Sequence, residues 1–476
     1  MAMTSPPQVA TQQPASVRPF GWRDKIGYAF GDLGNDMTFM IQAFFFLVYF
    51  TRVIGIDPAH VGALLLGARI IDAFTDIGVG RLVDTIRPAR DGKFKPWIRR
   101  MAIPVALASA LMFQSFIVDW GYGARLAWMI GFYFLWGSIF YTSINIPYGS
   151  MASVISDKSE ERATLSVWRS TGAQVAFLAV STFLPPFVFQ GSEVNAGRFS
   201  LAAIVMAAAA VVFYAVLYFN VEERIQVAPK VAGERQSFGQ LMKSLATNQA
   251  LLAIVVGALL LLLGNLLNGA VQSFLWLDYF GNGALQGVAS LAATLPAFLL
   301  IPVAGWLTKK FGKTEVGTFG VILYVGMMLL QYFLHTTNPI LFIVINSVAM
   351  FGLAIFNFLI WAFIIDVIDF QEVRTGERDD ATVYAIYSWA RKMGQAAAGG
   401  LGGFALGFIG YQSSKAGEAA VTQTPETIEG IWALATLVPA VFLAGTAVCL
   451  LFWYPLKKKQ VLENAAILQE RRGVTA

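Results

Sequence analysis

Long apolar stretches alternate with short polar turns along the whole chain. The stretches run at about 24–51, 59–82, 98–118, 124–149, 169–190, 199–220, 250–278, 285–308, 314–335, 339–368, 382–410 and 430–455. Each reaches the roughly 20 residues that a helix needs to cross a bilayer. The pattern therefore predicts an all-α membrane protein with twelve transmembrane helices.

Composition narrows the class further. Of 476 residues, 57% are hydrophobic and only 13% are charged, and the mean hydropathy is +0.61. A soluble enzyme, a secreted disulfide scaffold and a disordered chain all fit poorly. A single cysteine, Cys449, cannot form an internal disulfide, and with two histidines it makes a soft-ligand metal site improbable. Residues 1–17 carry no charge and no apolar core, so they read as a disordered tail and not as a signal peptide.

The net charge of +5 is explained by where the cations fall. With the N-terminus placed inside, 26 Lys and Arg lie in inside segments. Four lie outside (Arg52, Arg125, Arg198 and Lys415), and four lie within spans (Arg69, Arg169, Arg391 and Lys392). Cytoplasmic loops collect basic residues, so both termini are expected in the cytoplasm. The charge needs no nucleic-acid partner.

The longest polar interior segment, 221–249, divides the chain six plus six. The expected organisation is a cytoplasmic tail (1–23), an N-terminal six-helix half (24–220), a central loop (221–249), a C-terminal half (250–455) and a cytoplasmic tail (456–476). Weak repetition agrees. Gly80-Arg81-Leu82-Val83-Asp84 after span two has a counterpart in Gly305-Trp306-Leu307-Thr308-Lys309 after span eight. Trp168-Arg169 has one in Trp389-Ala390-Arg391. Two parallel halves point to a transporter whose binding site lies between them.

A charge at the bilayer centre costs about 2.5–3.5 kcal/mol on insertion scales, so retained ones face a cavity or a partner. Span two carries Arg69, Asp72 and Asp76 on one helical face. With Arg69 compensating one carboxylate, the other is left to bind an ion, and the Thr75 and Thr142 hydroxyls add oxygen donors. Such donors suit a hard monovalent cation, Na⁺ or H⁺ being the candidates. The alternative is a static Arg69–Asp72 pair with Asp76 near the interface. Span one carries Asp32 and Asp36. Asp36 suits the vicinal hydroxyls of a sugar, while Asp32, nearer the cytoplasm, is expected to meet a basic loop. Arg169 opens span five beside Trp168, and Lys392 sits with Trp389 in span eleven, as charged and aromatic groups for a sugar ring. No nucleotide-binding loop, protease helix or nucleophile motif has a believable context, so no enzymatic activity and no organic cofactor are expected.

At these residues the chain resembles the glycoside–pentoside–hexuronide:cation symporters, the melibiose-carrier family within the major facilitator fold. The resemblance covers nearly the whole chain. It is carried by Asp366-Val367-Ile368-Asp369-Phe370-Gln371-Glu372 with Arg374-Thr375-Gly376-Glu377-Arg378, by Ala68 through Asp76, by Gly92-Lys93-Phe94-Lys95-Pro96-Trp97 and by Asn145-Ile146-Pro147-Tyr148-Gly149. It implies two six-helix halves, a cation site at Asp72 and Asp76 with Thr142 beside them, and substrate or coupling roles for Asp36, Arg169 and Lys392. Melibiose carriers have Asp at the position of Asn145 and Trp at that of Gly149, which puts galactoside specificity in doubt.

Together these readings describe a monomeric inner-membrane symporter. It couples Na⁺ or H⁺ flow to uptake of a sugar or glycoside by alternating access. A lipid-like solute and a non-transporting sensor or scaffold are the alternatives. The seven basic residues from Arg81 to Arg100 face six acidic ones from Asp366 to Asp380 on the same side. A latch between the halves is therefore expected to use Asp369, Glu372, Arg374 and Arg378.

Overall fold

The computed structural model describes residues 18–225, 248–376, 380–417 and 421–471, apart from some side chains within helices. The expected N-terminal tail and central loop thus lie mostly outside the described residues, as does Arg378. Among the described residues the helices are α1 (Trp22–Arg52), α2 (Pro58–Thr85), α3 (Lys95–Met112), α4 (Tyr122–Ile155), α5 (Ser159–Val188), α6 (Ala196–Asn220), α7 (Gln249–Tyr279), α8 (Leu285–Phe311), α9 (Lys313–Leu334), α10 (Pro339–Thr375), α11 (Asp380–Phe408), α12 (Pro425–Trp453) and α13 (Lys458–Arg471). Eight of them, α1, α4, α5, α6, α7, α9, α10 and α12, are long and apolar enough to cross a membrane.

The chain runs up and down between two ends of the bundle. The near end holds the start of α1 and the far end holds its finish. Turn chemistry sets the reversals at the far end. Asp57 accepts a hydrogen bond from the Ala59 N–H, with Pro58 opening α2. Asn338 and Thr424 cap α10 and α12 in the same way, each followed by proline. At the near end α10 stops at Gly376, whose φ of +78° is cheap only without a Cβ.

Helix ends depart from the apolar stretches in both directions. α5 begins at Ser159 and not near 169, because Glu160, Glu161 and Arg162 continue the helix beyond its apolar part. α3 stops at Met112 instead of 118, where a short tight turn at Ser115–Ile117 interrupts it.

The near end of the first six helices is tied by the segment after α6. Arg224 pairs with the fully buried Asp24 at 2.9 Å and donates to the Ile155 and Arg18 carbonyls. Glu223 accepts the N–H groups of Lys93, Phe94 and Lys95 at 2.6–2.8 Å. A carboxylate there complements the positive end of α3. On the other side, Arg471 of α13 donates to the Glu372 and Val373 carbonyls at the end of α10.

Small residues bring helices into backbone contact toward the far end. A Cβ on Gly403 of α11 would lie 2.3 Å from the Pro58 carbonyl oxygen, and one on Gly62 would lie 2.7 Å from that of Gly400. A Cβ on Gly287 of α8 would lie 2.2 Å from the Thr182 oxygen of α5. Close approach of this kind is how helices associate where no hydrophobic drive separates them from lipid.

Candidate functional site

Ser138, Thr142, Asn145 and Gly149 follow one another at spacings of four, three and four on α4, which places them on one face. A π-helical turn at Leu135–Tyr141 precedes Thr142, a departure found often at functional sites. Two carboxylates of α2 meet this face. Ser138 donates to Asp72 Oδ1 at 2.5 Å, and Thr142 donates to Asp76 Oδ1 at 3.1 Å. Arg69 reaches Asp72 only at 3.9 Å. The Thr75 hydroxyl instead turns back to the Asp72 carbonyl at 3.1 Å, which leaves its lone pairs as its contribution. The result is two carboxylates and a set of hydroxyls, hard oxygen donors, and among the described residues no salt bridge holds Asp76.

The second cluster joins α1, α4, α5 and α6. Arg169 Nε donates to Asp32 Oδ1 at 3.1 Å. This corrects the expectation that Asp32 meets a basic loop. α5 starts early enough to carry Arg169 well inside the bundle, opposite Asp32. The guanidinium also lies 5.1 Å from the centre of the Tyr148 ring, a cation–π contact. Tyr148 fills the space left by Gly31, where a Cβ would come within 2.2 Å of its ring. Its hydroxyl donates to the Tyr28 carbonyl at 2.6 Å. Deeper, Tyr214 donates to Asn35 Oδ1 at 2.8 Å, and Asn35 donates to Asn145 Oδ1 at 3.3 Å.

Asp36 lies one turn beyond Asp32. Among the described residues no hydrogen bond or ion pair holds its carboxylate, although the residue is only 9% exposed. Tyr141, stacked on Phe39 at 5.8 Å, lies within electrostatic reach of Asp36, Arg169 and Arg69. The two clusters therefore share a wall of α4.

Other expected residues fall elsewhere. Trp168 packs edge-on against Trp22 at 5.6 Å, as an anchor near the near end. The side chains of Trp389 and Lys392 lie outside the described residues. Arg374 is exposed and stacks over Phe370 at 5.3 Å. Asp369 and Glu372 sit in the last turns of α10, where both have partners. Asn268 donates to the Ala435 carbonyl, joining α7 to α12, and accepts from Gln272 one turn on.

One constellation was not anticipated. At the far end, Arg52 of α1 pairs with Asp278 of α7 at 3.2 Å, each side chain only 6% exposed. Arg52 also donates to the Ser192 carbonyl, and Tyr411 donates to Asp278 Oδ2. Beside it the Ser414 and Ala416 N–H groups donate to the Thr51 and Val53 carbonyls, and Gly283 donates to Gly191.

Buried charges around a shared polar wall, inside a bundle of apolar helices, are the layout of a solute carrier. Residues 27–458 match the family described as MFS/sugar transport protein. The chain belongs to that family. This membership bears out the resemblance to the glycoside–pentoside–hexuronide symporters and makes the protein a multi-pass membrane transporter, not an enzyme. The transporter is 30% identical over 451 residues to the uncharacterized symporter YjmB of Bacillus subtilis, covering 94% of this chain and 95% of that one. It is 29% identical to the glucuronide carrier protein homolog of Escherichia coli, covering 95% and 96%. A solved structure of a bacterial homolog of the human lysosomal transporter Spinster, inward-facing and occupied, superposes with a TM-score of 0.61 over 93% of this chain and 97% of that one, at 11% identity. That likeness shows the major facilitator fold.

Ser138, Tyr148 and Tyr214 were missed in the sequence. Ser138 precedes Thr142 by one turn, so helical spacing alone carried a signal for it. Tyr148 and Tyr214 look like ordinary aromatic packing until the glycines opposite them are seen.

Proposed function

We propose that the transporter is a cation-coupled symporter of a sugar or glycoside, working by alternating access between two six-helix halves, 24–220 and 250–455. The observation that carries this reading is the pairing of Asp72 and Asp76 with the Ser138 and Thr142 hydroxyls beside Asp36, whose carboxylate no described residue holds. Na⁺ or H⁺ binding neutralises the α2 carboxylates. Asp36, Asn145 and Arg169 take the solute hydroxyls, and Trp389 and Lys392 are assigned to the same solute. Because α4 carries residues of both clusters, cation and solute each favour the arrangement that suits the other, which is reciprocal coupling.

The near end is read as cytoplasmic, in an inner membrane, with both termini there. The far-end contacts then close the exterior side, and the solute leaves toward the cytoplasm. The latch of Asp369, Glu372, Arg374 and Arg378 against the Arg81–Arg100 segment belongs to the opposite state.

Uptake into proteoliposomes tests this directly. A panel of neutral and acidic monosaccharides and glycosides is offered with and without an inward Na⁺ gradient, and with a proton gradient alone. Accumulation of at least one member that collapses with one gradient is expected. Equal, gradient-independent equilibration of every member would overturn the coupling.

A further inference from the structure

Asp32 and Asp36 stand one turn apart on α1, yet among the described residues Arg169 pairs with Asp32 and not with Asp36. An unrestrained arginine on α5 has reason to choose either carboxylate. Three features decide the choice. Its Nε, the inner edge of the fork, points to Asp32 Oδ1 at 3.1 Å. Tyr148 lies beneath its plane, held by mutual hydrogen bonds with Tyr28 and by the space at Gly31. Gly172 lets α5 settle against α1, since a Cβ there would stand 2.3 Å from the Ala29 oxygen. Thus Nη1 is directed toward Gly149, where a Cβ would meet it at 3.5 Å, an ordinary contact.

We propose that Asp32 is a positioning residue, whose carboxylate and the stacked Tyr148 ring hold Arg169 beside Gly149 and so keep Asp36 unpaired for the solute. The inference rests on the substrate-site reading of Asp36 and Arg169. Asp32 is 12% exposed at its side chain and Arg169 is 37% exposed. The carboxylate is the inner, fixed member of the pair, and the guanidinium is its more exposed member. Without Asp32 the free energy that holds Nε is lost, and Asp36 becomes the only carboxylate on that face of α1. Arg169 then turns to it, and the pair occupies what the solute needs.

The test uses a reporter that needs no knowledge of the solute. Cys449 is the only cysteine, so Cys449→Ala supplies a background for Gly149→Cys, an exposed position beside Nη1. Its reaction with an anionic methanethiosulfonate (MTSES) is compared with that of a cationic one (MTSET). Simple electrostatics and positioning predict opposite signs. Deleting the negative charge in Asp32→Asn raises the MTSES-to-MTSET rate ratio if Arg169 stays where it is. The positioning role predicts a fall of severalfold, because the arginine leaves the cysteine. Asp32→Glu is expected to restore the ratio. In the double variant Asp32→Asn with Asp36→Asn, where no alternative carboxylate remains, it is expected to recover in part. An unchanged or raised ratio in well-folded Asp32→Asn protein overturns the proposal, as does failure of Asp32→Glu to recover it. Because labelling requires no transport, a failed uptake panel with a positive labelling result would sink the sugar reading alone.

Discussion

Arg52 and Asp278 pair at 3.2 Å between the last turn of α1 and the last turn of α7, and each is almost fully buried. The pair joins two helices that belong to different halves in the reading above. Breaking a buried ion pair by removing one partner costs about 3–5 kcal/mol, since the other charge is left unpaired. Two transport states that differ by a few kcal/mol are therefore sensitive to it.

Asp278→Asn and Arg52→Gln are accordingly expected to open the far end. Impermeant MTSET added from outside right-side-out vesicles should label Gly149→Cys at least tenfold faster in these variants than in the Cys449→Ala parent. The exchanged pair, Arg52→Asp with Asp278→Arg, should return labelling toward the parent. Unaltered labelling in both single variants would mean the pair is not part of the closure.

For the proposed cation site, Asp72→Asn and Asp76→Asn should abolish gradient-driven accumulation while leaving solute exchange. Ser138→Ala is the finer probe. A hydrogen bond to a charged group contributes about 1.5–3 kcal/mol; if the ion is Na⁺ and uses the hydroxyl lone pairs, the half-saturating concentration should rise roughly tenfold, whereas a coupling proton should bind more tightly to a carboxylate that has lost its donor. Cation dependence of uptake measures it, and an identical half-saturation in Ser138→Ala would remove Ser138 from the site.

The positions of the helices were legible because lipid demands it: residues facing hydrocarbon must be apolar, and their backbone must bond internally. The helix ends were less legible, because a helix such as α5 continues into water with polar residues and leaves no apolar trace. At the site, Asp72, Asp76 and Thr142 could be read from their spacing and from the family resemblance. The partner of Arg169 could not. It depends on how far α5 begins before its apolar part and on a ring, Tyr148, settling over Gly31. Arg52 was read as a loop charge and Asp278 as the tail of an apolar stretch. Only the packing of α1 against α7 brings them together.

The near-end latch makes a separate prediction. Replacing Asp369 and Glu372 by Asn and Gln should increase labelling of Gly149→Cys from the near side. An exposed pair is worth about 0–1 kcal/mol, so a two- to fivefold rise in rate is the expected scale. Equal rates in folded, normally abundant protein would exclude the latch.

The glycine contacts between α2 and α11 give the sharpest test of far-end closure. A side chain on Gly403 has no place to go in the present arrangement: its Cβ would stand 2.3 Å from the Pro58 oxygen and 2.6 Å from the Gly62 nitrogen, both backbone atoms that cannot swing aside. Gly403→Leu should therefore exclude the closed far end without disturbing a state in which α2 and α11 have parted there. Expected outcomes are loss of net uptake, retained monodisperse protein, and labelling of Gly149→Cys from the outside only. Gly67→Leu is the control on α2, where a Cβ meets nothing within 4 Å, and it should transport normally. If Gly403→Leu also transports at the parental rate, the backbone contact is not remade in each cycle. The far end would then have to close by the Arg52–Asp278 region alone.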